Sequence, residues 1–136
     1  MENNIILTAK AIAAVIGGFC GLLWGKLDGV MMALLAFIAI DYITGLMVGI
    51  STKTLNSSTG FKGLAKKVFI LLLVLIANIR DTHVMGGSGV VRGVVIAFYL
   101  ANEGISILEN AGKLGVPYPE KLRDVLEQLK ETEEQK

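Results

Sequence analysis

Apolar runs broken by one or two charges dominate most of the chain. The first extends from about Ile5 to Trp24 and contains Lys10. The second covers about Val30 to Ile50 and contains Asp41. The third covers about Leu64 to Ile79, with Lys66 and Lys67 near its start. The fourth begins at Gly89, reaches about residue 112, and contains Arg92 and Glu103. A helix needs roughly 20 mostly apolar residues to cross a hydrocarbon core of about 30 Å. The pattern therefore predicts four transmembrane helices, over about residues 5–24, 30–50, 64–79 and 89–112.

The third run is the shortest. Only twelve residues separate Lys67 from Arg80, and Asn78 is one of them. At 1.5 Å per residue they make about 18 Å of helix. Crossing then requires the flanking cations to snorkel or the bilayer to thin. A re-entrant or shallow segment is the alternative, leaving three spans. The first run resembles a signal peptide in outline, but no small-residue cleavage pattern follows Trp24, so it is read as a retained helix. The turn Gly25-Lys26-Leu27-Asp28-Gly29 folds it back antiparallel to the second.

A different pattern closes the chain. Pro117 and Pro119 interrupt helix, and Pro119 suits the start of a new one. Leu122, Val125, Leu126 and Leu129 then recur at i, i+3, i+4 and i+7, which predicts a narrow amphipathic helix. Residues 1–115 thus form a membrane domain, and 116–136 a cytoplasmic amphipathic helix with a charged, frayed tail from Glu131 to Lys136. Its mixed signs suit packing on another copy or on the base of the membrane domain better than anchorage to lipid.

Composition agrees with this partition. Of 136 residues, 53% are hydrophobic and 18% charged, against about 25% charged in soluble domains. The mean hydropathy is +0.62. A formal charge of +1 excludes a strongly electrostatic nucleic-acid binder. Lone Cys20 offers no disulfide within the chain and reads as a small hydrophobe. Lone His83 reads as a loop residue. No phosphate loop, metal-ligand cluster or catalytic serine arrangement is present, so no catalytic residue, metal or cofactor is assigned. Lys53 and Lys62, followed by Lys66 and Lys67, make the second connection basic without acidic relief. The positive-inside rule places it in the cytoplasm, and four spans then place both termini there.

The charges inside the runs are candidate functional groups. An aspartate at mid-helix costs about 2.5–3.5 kcal/mol on insertion scales. Asp41 therefore needs either a helix–helix hydrogen bond or a role in a pore or an assembly. Arg92 and Glu103 lie eleven positions apart, which returns them to one helix face within about 20° and separates them by about 16 Å. Tyr99, Ser106 and Asn110 lie near that face. The pair cannot bond directly, so partners come from other helices, other subunits, headgroups or water; snorkelling to opposite interfaces is the alternative. Gly17, Gly21 and Gly25 recur at every fourth position, as do Gly45 and Gly49. Such grooves let backbones approach closely, either within the first hairpin, the favoured reading, or between subunits.

Three stretches carry a family resemblance. They are Asp41-Tyr42-Ile43-Thr44-Gly45-Leu46, the link Ser57-Ser58-Thr59-Gly60-Phe61-Lys62-Gly63 running into Lys66-Lys67, and Asn102-Glu103-Gly104-Ile105-Ser106-Ile107-Leu108-Glu109-Asn110 with Leu114-Gly115-Val116-Pro117-Tyr118-Pro119. Over about residues 30 to 130 the chain resembles the small holins of the toxin-secretion/phage-lysis type, found in phages and prophages of Gram-positive bacteria. The resemblance implies a homo-oligomer in the bacterial cytoplasmic membrane that opens a timed lesion. The lesion would release an endolysin, or a toxin in clostridial relatives, as unbound cargo. It implies no catalytic residues. Lys10, Asp41, Arg92, Tyr99, Asn102 and Glu103 are then the candidate pore-lining or intramembrane polar positions. An antiholin that restrains a partner holin is the alternative. A small ion or solute transporter is a third reading, for which no internal repeat speaks.

Overall fold

The computed structural model describes residues 1–84 and 86–135. They form α1 (Glu2–Trp24), α2 (Gly29–Ser51), α3 (Ser57–His83), α4 (Val90–Lys113) and α5 (Glu120–Glu134). No strand occurs among them. Lys136, grouped above with the charged tail, lies outside the described residues. The expected frayed tail is otherwise helical to Glu134, and His83 is the last residue of α3 rather than a loop residue.

Side-chain caps set two of the starts. Asp28 accepts from the Met31 N–H at 3.0 Å, and Asn56 from the Thr59 N–H at 2.8 Å. Each satisfies one donor that a helix leaves unpaired in its first turn. The Asn56 cap starts α3 seven residues before the expected Leu64, so this helix is 27 residues long. α4 begins after Gly89 in the left-handed region (φ 72°) without a cap of its own. Its first donors go instead to Asp81 near the end of α3, from the Val91 N–H at 3.1 Å and the Arg92 N–H at 2.7 Å.

α2, α3 and α4 make the bundle. α2 and α4 run parallel, and α3 runs antiparallel between their ends. Met31, Leu34 and Ile38 of α2 meet Ile70 and Val74 of α3 and Ile96 of α4 in one apolar core. The α2 and α3 positions recur at three- and four-residue intervals, so each helix contributes a single stripe. The outward faces are also apolar: Phe69 is 61% exposed and Ile76 60%, while Asp41, Asn78, Asp81, Arg92 and Glu103 are buried. A water-soluble bundle has the opposite arrangement. Among the described residues three helices are long and apolar enough to cross a membrane: α1, α2 and α4. The third predicted span is not among them, because α3 carries Lys62, Lys66, Lys67, Arg80 and Asp81.

The expected packing of the first hairpin is not made. α1 touches α3 and does not pack on α2, and a side chain at Gly17 or Gly21 would meet nothing within 4 Å. The close approaches lie elsewhere. At Gly104 a Cβ would sit 2.9 Å from Leu126 of α5 and 3.2 Å from Phe37 of α2. At Gly49 it would sit 3.2 Å from Leu55, and at Gly45 only 3.9 Å from Asn110. α5 does not sit at the base of the bundle; it folds back along α4.

Candidate functional site

The buried polar groups form two layers. Asp41 and Glu103 lie ten residues before the ends of α2 and α4, and Lys67 lies ten residues after the start of α3. The antiparallel course of α3 therefore brings all three to one level, about 15 Å from that end of the bundle. The Lys67 ammonium donates to both the Asp41 and the Glu103 carboxylate. Asn110 Nδ2 donates to Asp41 Oδ1 at 3.1 Å and to Thr44 Oγ1 at 2.9 Å. Two carboxylates against one ammonium leave this triad with a formal charge of −1.

Beside the triad, α2, α3 and α4 enclose a cavity of about 700 Å³ that reaches toward the α2–α3 connection. Tyr42, Lys66, Tyr99, Asn102, Ser106 and Lys113 are among the other residues that line it. Tyr42 lies against α3: a Cβ at Gly60 would stand 3.8 Å from its hydroxyl and one at Gly63 3.7 Å from its ring, both ordinary contact distances. The cavity is partly open, and its walls mix these polar groups with Leu46, Val48, Phe69, Ile70 and Leu73.

The second layer closes the opposite end. Arg92 Nε donates to the Trp24 carbonyl at 2.7 Å and Nη2 to the Lys26 carbonyl at 2.8 Å, while Nη1 meets Asp28 Oδ2 at 3.0 Å. Asn78 Nδ2 donates to the Leu23 carbonyl at 3.0 Å, and the Trp24 indole N–H to the Leu71 carbonyl at 2.7 Å. The last carbonyls of α1, at the negative end of its dipole, receive the Arg92 cation and one neutral side-chain donor, Asn78. Gly25 makes this possible: its φ is 82°, and a Cβ would lie 2.9 Å from both Arg92 Nε and Asn78 Oδ1. The Arg92 guanidinium, with help from the Met31 N–H, holds the Asp28 carboxyl below its ordinary value of 3.8.

The single polar face read along α4 is therefore divided. Asp41, Tyr99, Asn102 and Glu103 meet at the cavity, whereas Arg92 belongs to the other layer. Lys10 stands apart on exposed α1. Of the connection lysines, Lys53, Lys62 and Lys66 are exposed, while Lys67 turns inward. Sequence reasoning missed Lys67, Asp28, Asn78 and Asp81 as partners of the buried groups. A charged or amide side chain within reach of a span end was their only signal. Among the described residues no group of His, Cys, Asp or Glu is placed to hold a metal ion.

Apolar outward faces, buried charges and three helices of spanning length define a helical membrane protein. The chain matches the bacteriophage holin family over residues 18–131 and belongs to it. It is 37% identical over 97 residues to a probable holin of Bacillus phage phi105, covering 71% of each chain. An uncharacterized 14.9 kDa protein of Clostridium perfringens is 41% identical over 127 residues, 93% of this chain and 96% of its own. An uncharacterized protein of Listeria monocytogenes is 44% identical over 110 residues, covering 81% and 78%. No solved structure matches the chain.

Proposed function

We propose that this chain acts as a holin proper: it assembles with copies of itself in the bacterial cytoplasmic membrane and opens a timed lesion for an endolysin or a toxin. The observation that carries the reading is the buried Asp41–Lys67–Glu103 triad beside a partly open cavity, charge held inside a lipid-compatible shell. Ionisable groups within a span are costly to bury and are candidates by default for pathways or assembly contacts. Separation of the helices around the triad would present these groups to water, which replaces the lost ion pairs. Arg92, Tyr99, Asn102 and Glu103 line or guard that opening in this reading, and no residue has a catalytic role.

Four crossings fit the parallel course of α2 and α4. Two parallel spans joined by one helix require that helix to return across the same thickness. α3 has the length to do so, and its charges at Lys67 and Asp81 point inward to partners. Both termini then face the cytoplasm with the basic α2–α3 connection. Inducible expression tests the function. Growth should stop abruptly and the membrane potential collapse, with a co-expressed cytoplasmic endolysin reaching the wall. Continued growth at full expression refutes it. Arg92→Ala and Glu103→Ala should each shift the time of lysis at unchanged protein level.

One observation favours an antiholin as the second reading. The five ion-paired charges of the two layers, Asp41, Lys67, Glu103, Arg92 and Asp28, are satisfied within one chain, so none of them calls for a second copy. In that case expression alone leaves growth intact, and co-expression delays lysis by a partner holin.

A further inference from the structure

α5 packs along α4 at a depth where its outer face could not remain. Tyr118 stands 3.9 Å from where a Gly112 Cβ would be, Leu126 stands 2.9 Å from that of Gly104, and Glu133 shares a pocket with Val91, Val94 and Phe98. The two helices are thus antiparallel over most of α4. Gly104 lies next to Glu103, at the level of the buried triad. On the outer side of α5, Lys121, Asp124, Gln128, Glu131 and Glu134 are exposed. Were α4 to cross a bilayer in this arrangement, those groups would face hydrocarbon, which charged side chains avoid. A bilayer and α5 therefore cannot both hold this flank of α4.

We propose that the α4 face beneath α5, centred on Gly104, is a docking surface for a second copy of this chain, covered by its own α5 until α4 enters the bilayer. Its shape is that of a helix seat, since a helix already occupies it at closest approach. Once α5 withdraws to water, Gly104 and Gly112 leave two gaps in the apolar face of α4, which another helix backbone can approach closely. The second copy offers α1, whose length is exposed and whose Gly17 and Gly21 meet nothing. Charge matches as well. Trp24 of α1 is bonded to Arg92 of α4, which sets a common level for every copy in one membrane. From there Lys10 lies about 21 Å along α1 and Glu109 about 26 Å along α4, a difference that a lysine side chain spans. Both are exposed and neither has an ion pair among the described residues. Glu109 lies three residues before Gly112, on the flank of the seat.

The inference rests on the reading that α4 enters a membrane, and the experiment separates the two. The α4–α5 register places Ala101 opposite Leu129. In a Cys20→Ser background, the full chain with Ala101→Cys and Leu129→Cys is made without membranes, oxidised or reduced, and added to vesicles of phosphatidylethanolamine and phosphatidylglycerol. The oxidised form, with α5 locked down, should lose carbonate-resistant insertion, and reduction should restore it. A second variant, Cys20→Ser with Lys10→Cys and Glu109→Cys, should form disulfide-linked dimers and higher ladders in the same vesicles. Equal insertion of locked and reduced protein overturns the cover. Insertion without 10–109 cross-links overturns the docking surface. Failure of both forms, and of the unmodified chain, to insert removes the membrane reading itself and the proposal with it.

Discussion

Lys67 lets two carboxylates coexist inside an apolar bundle, and that makes it the most consequential single side chain. Removing one partner of a buried ion pair costs about 3–5 kcal/mol, because the charge left behind has neither water nor counter-ion. Lys67→Met leaves Asp41 and Glu103 facing each other. Glu103→Gln, by contrast, keeps a hydrogen-bond acceptor and brings the formal charge of the triad to zero. Thermal unfolding in detergent micelles should therefore show Lys67→Met far less stable than the parent and Glu103→Gln close to it; equal losses would contradict the triad. At the other layer the sign of a pH effect is fixed. The Asp28 carboxyl is held below its ordinary value of 3.8, so its contribution is complete above that value and is lost as pH falls through the lower folded one. Trp24 is the sole tryptophan and bonds into this layer, so its fluorescence should change in acid, and Asp28→Asn should remove part of that change. Asp41, Arg92 and Glu103 were legible in the sequence because a charge stands out in an apolar run. Lys67 was not. It follows Lys66 near the apparent start of a run and reads as a boundary cation, and its partners are 26 and 36 residues away.

Glycines separate the elements that are tight from those that are open. Gly104→Leu drives a side chain into Leu126 and Phe37, and overpacking of this kind costs about 1–3 kcal/mol. The expected result is an α5 that exchanges its amide hydrogens and is cut by protease faster than in the parent, while α2–α4 keep their protection. Gly25→Ala should also destabilise the chain, since φ is 82° and the new methyl would strike Arg92 and Asn78. Gly21→Leu should leave the fold of the isolated chain unchanged and disturb cross-linked oligomers alone. Intact oligomers in that variant would remove α1 from the subunit contact. The elements themselves were readable to within a few residues for α1, α2 and α4, where long apolar runs end at Gly or charged turns. The start of α3 was hidden because its first turn, Ser57-Ser58-Thr59-Gly60, looks like a loop, and only the Asn56 cap makes it helical. The course of α5 was also hidden: an amphipathic stripe declares that a helix packs, not what it packs on.

At the scale of the molecule, apolar side chains outside and charges inside decide the environment. Lipid gains little from exchanging one apolar contact for another, so helix association in a membrane rests on close packing and polar bonds. The two layers supply those bonds. Topology gives the test: tags at either terminus and in the α2–α3 connection should all be reached from the cytoplasm if α3 crosses. A C-terminal tag reached from the opposite side would mean that α3 does not. One further consequence follows from α4 alone. Arg92 and Glu103 are fixed about 16 Å apart on one continuous helix, each gripping different neighbours. A slide of α4 by one turn, about 5.4 Å, carries both groups away from their partners together. Under such a slide neither latch opens while the other stays shut, so the bundle should behave as a tumbler lock with two pins on one bolt: quiet under partial displacement, and released all at once.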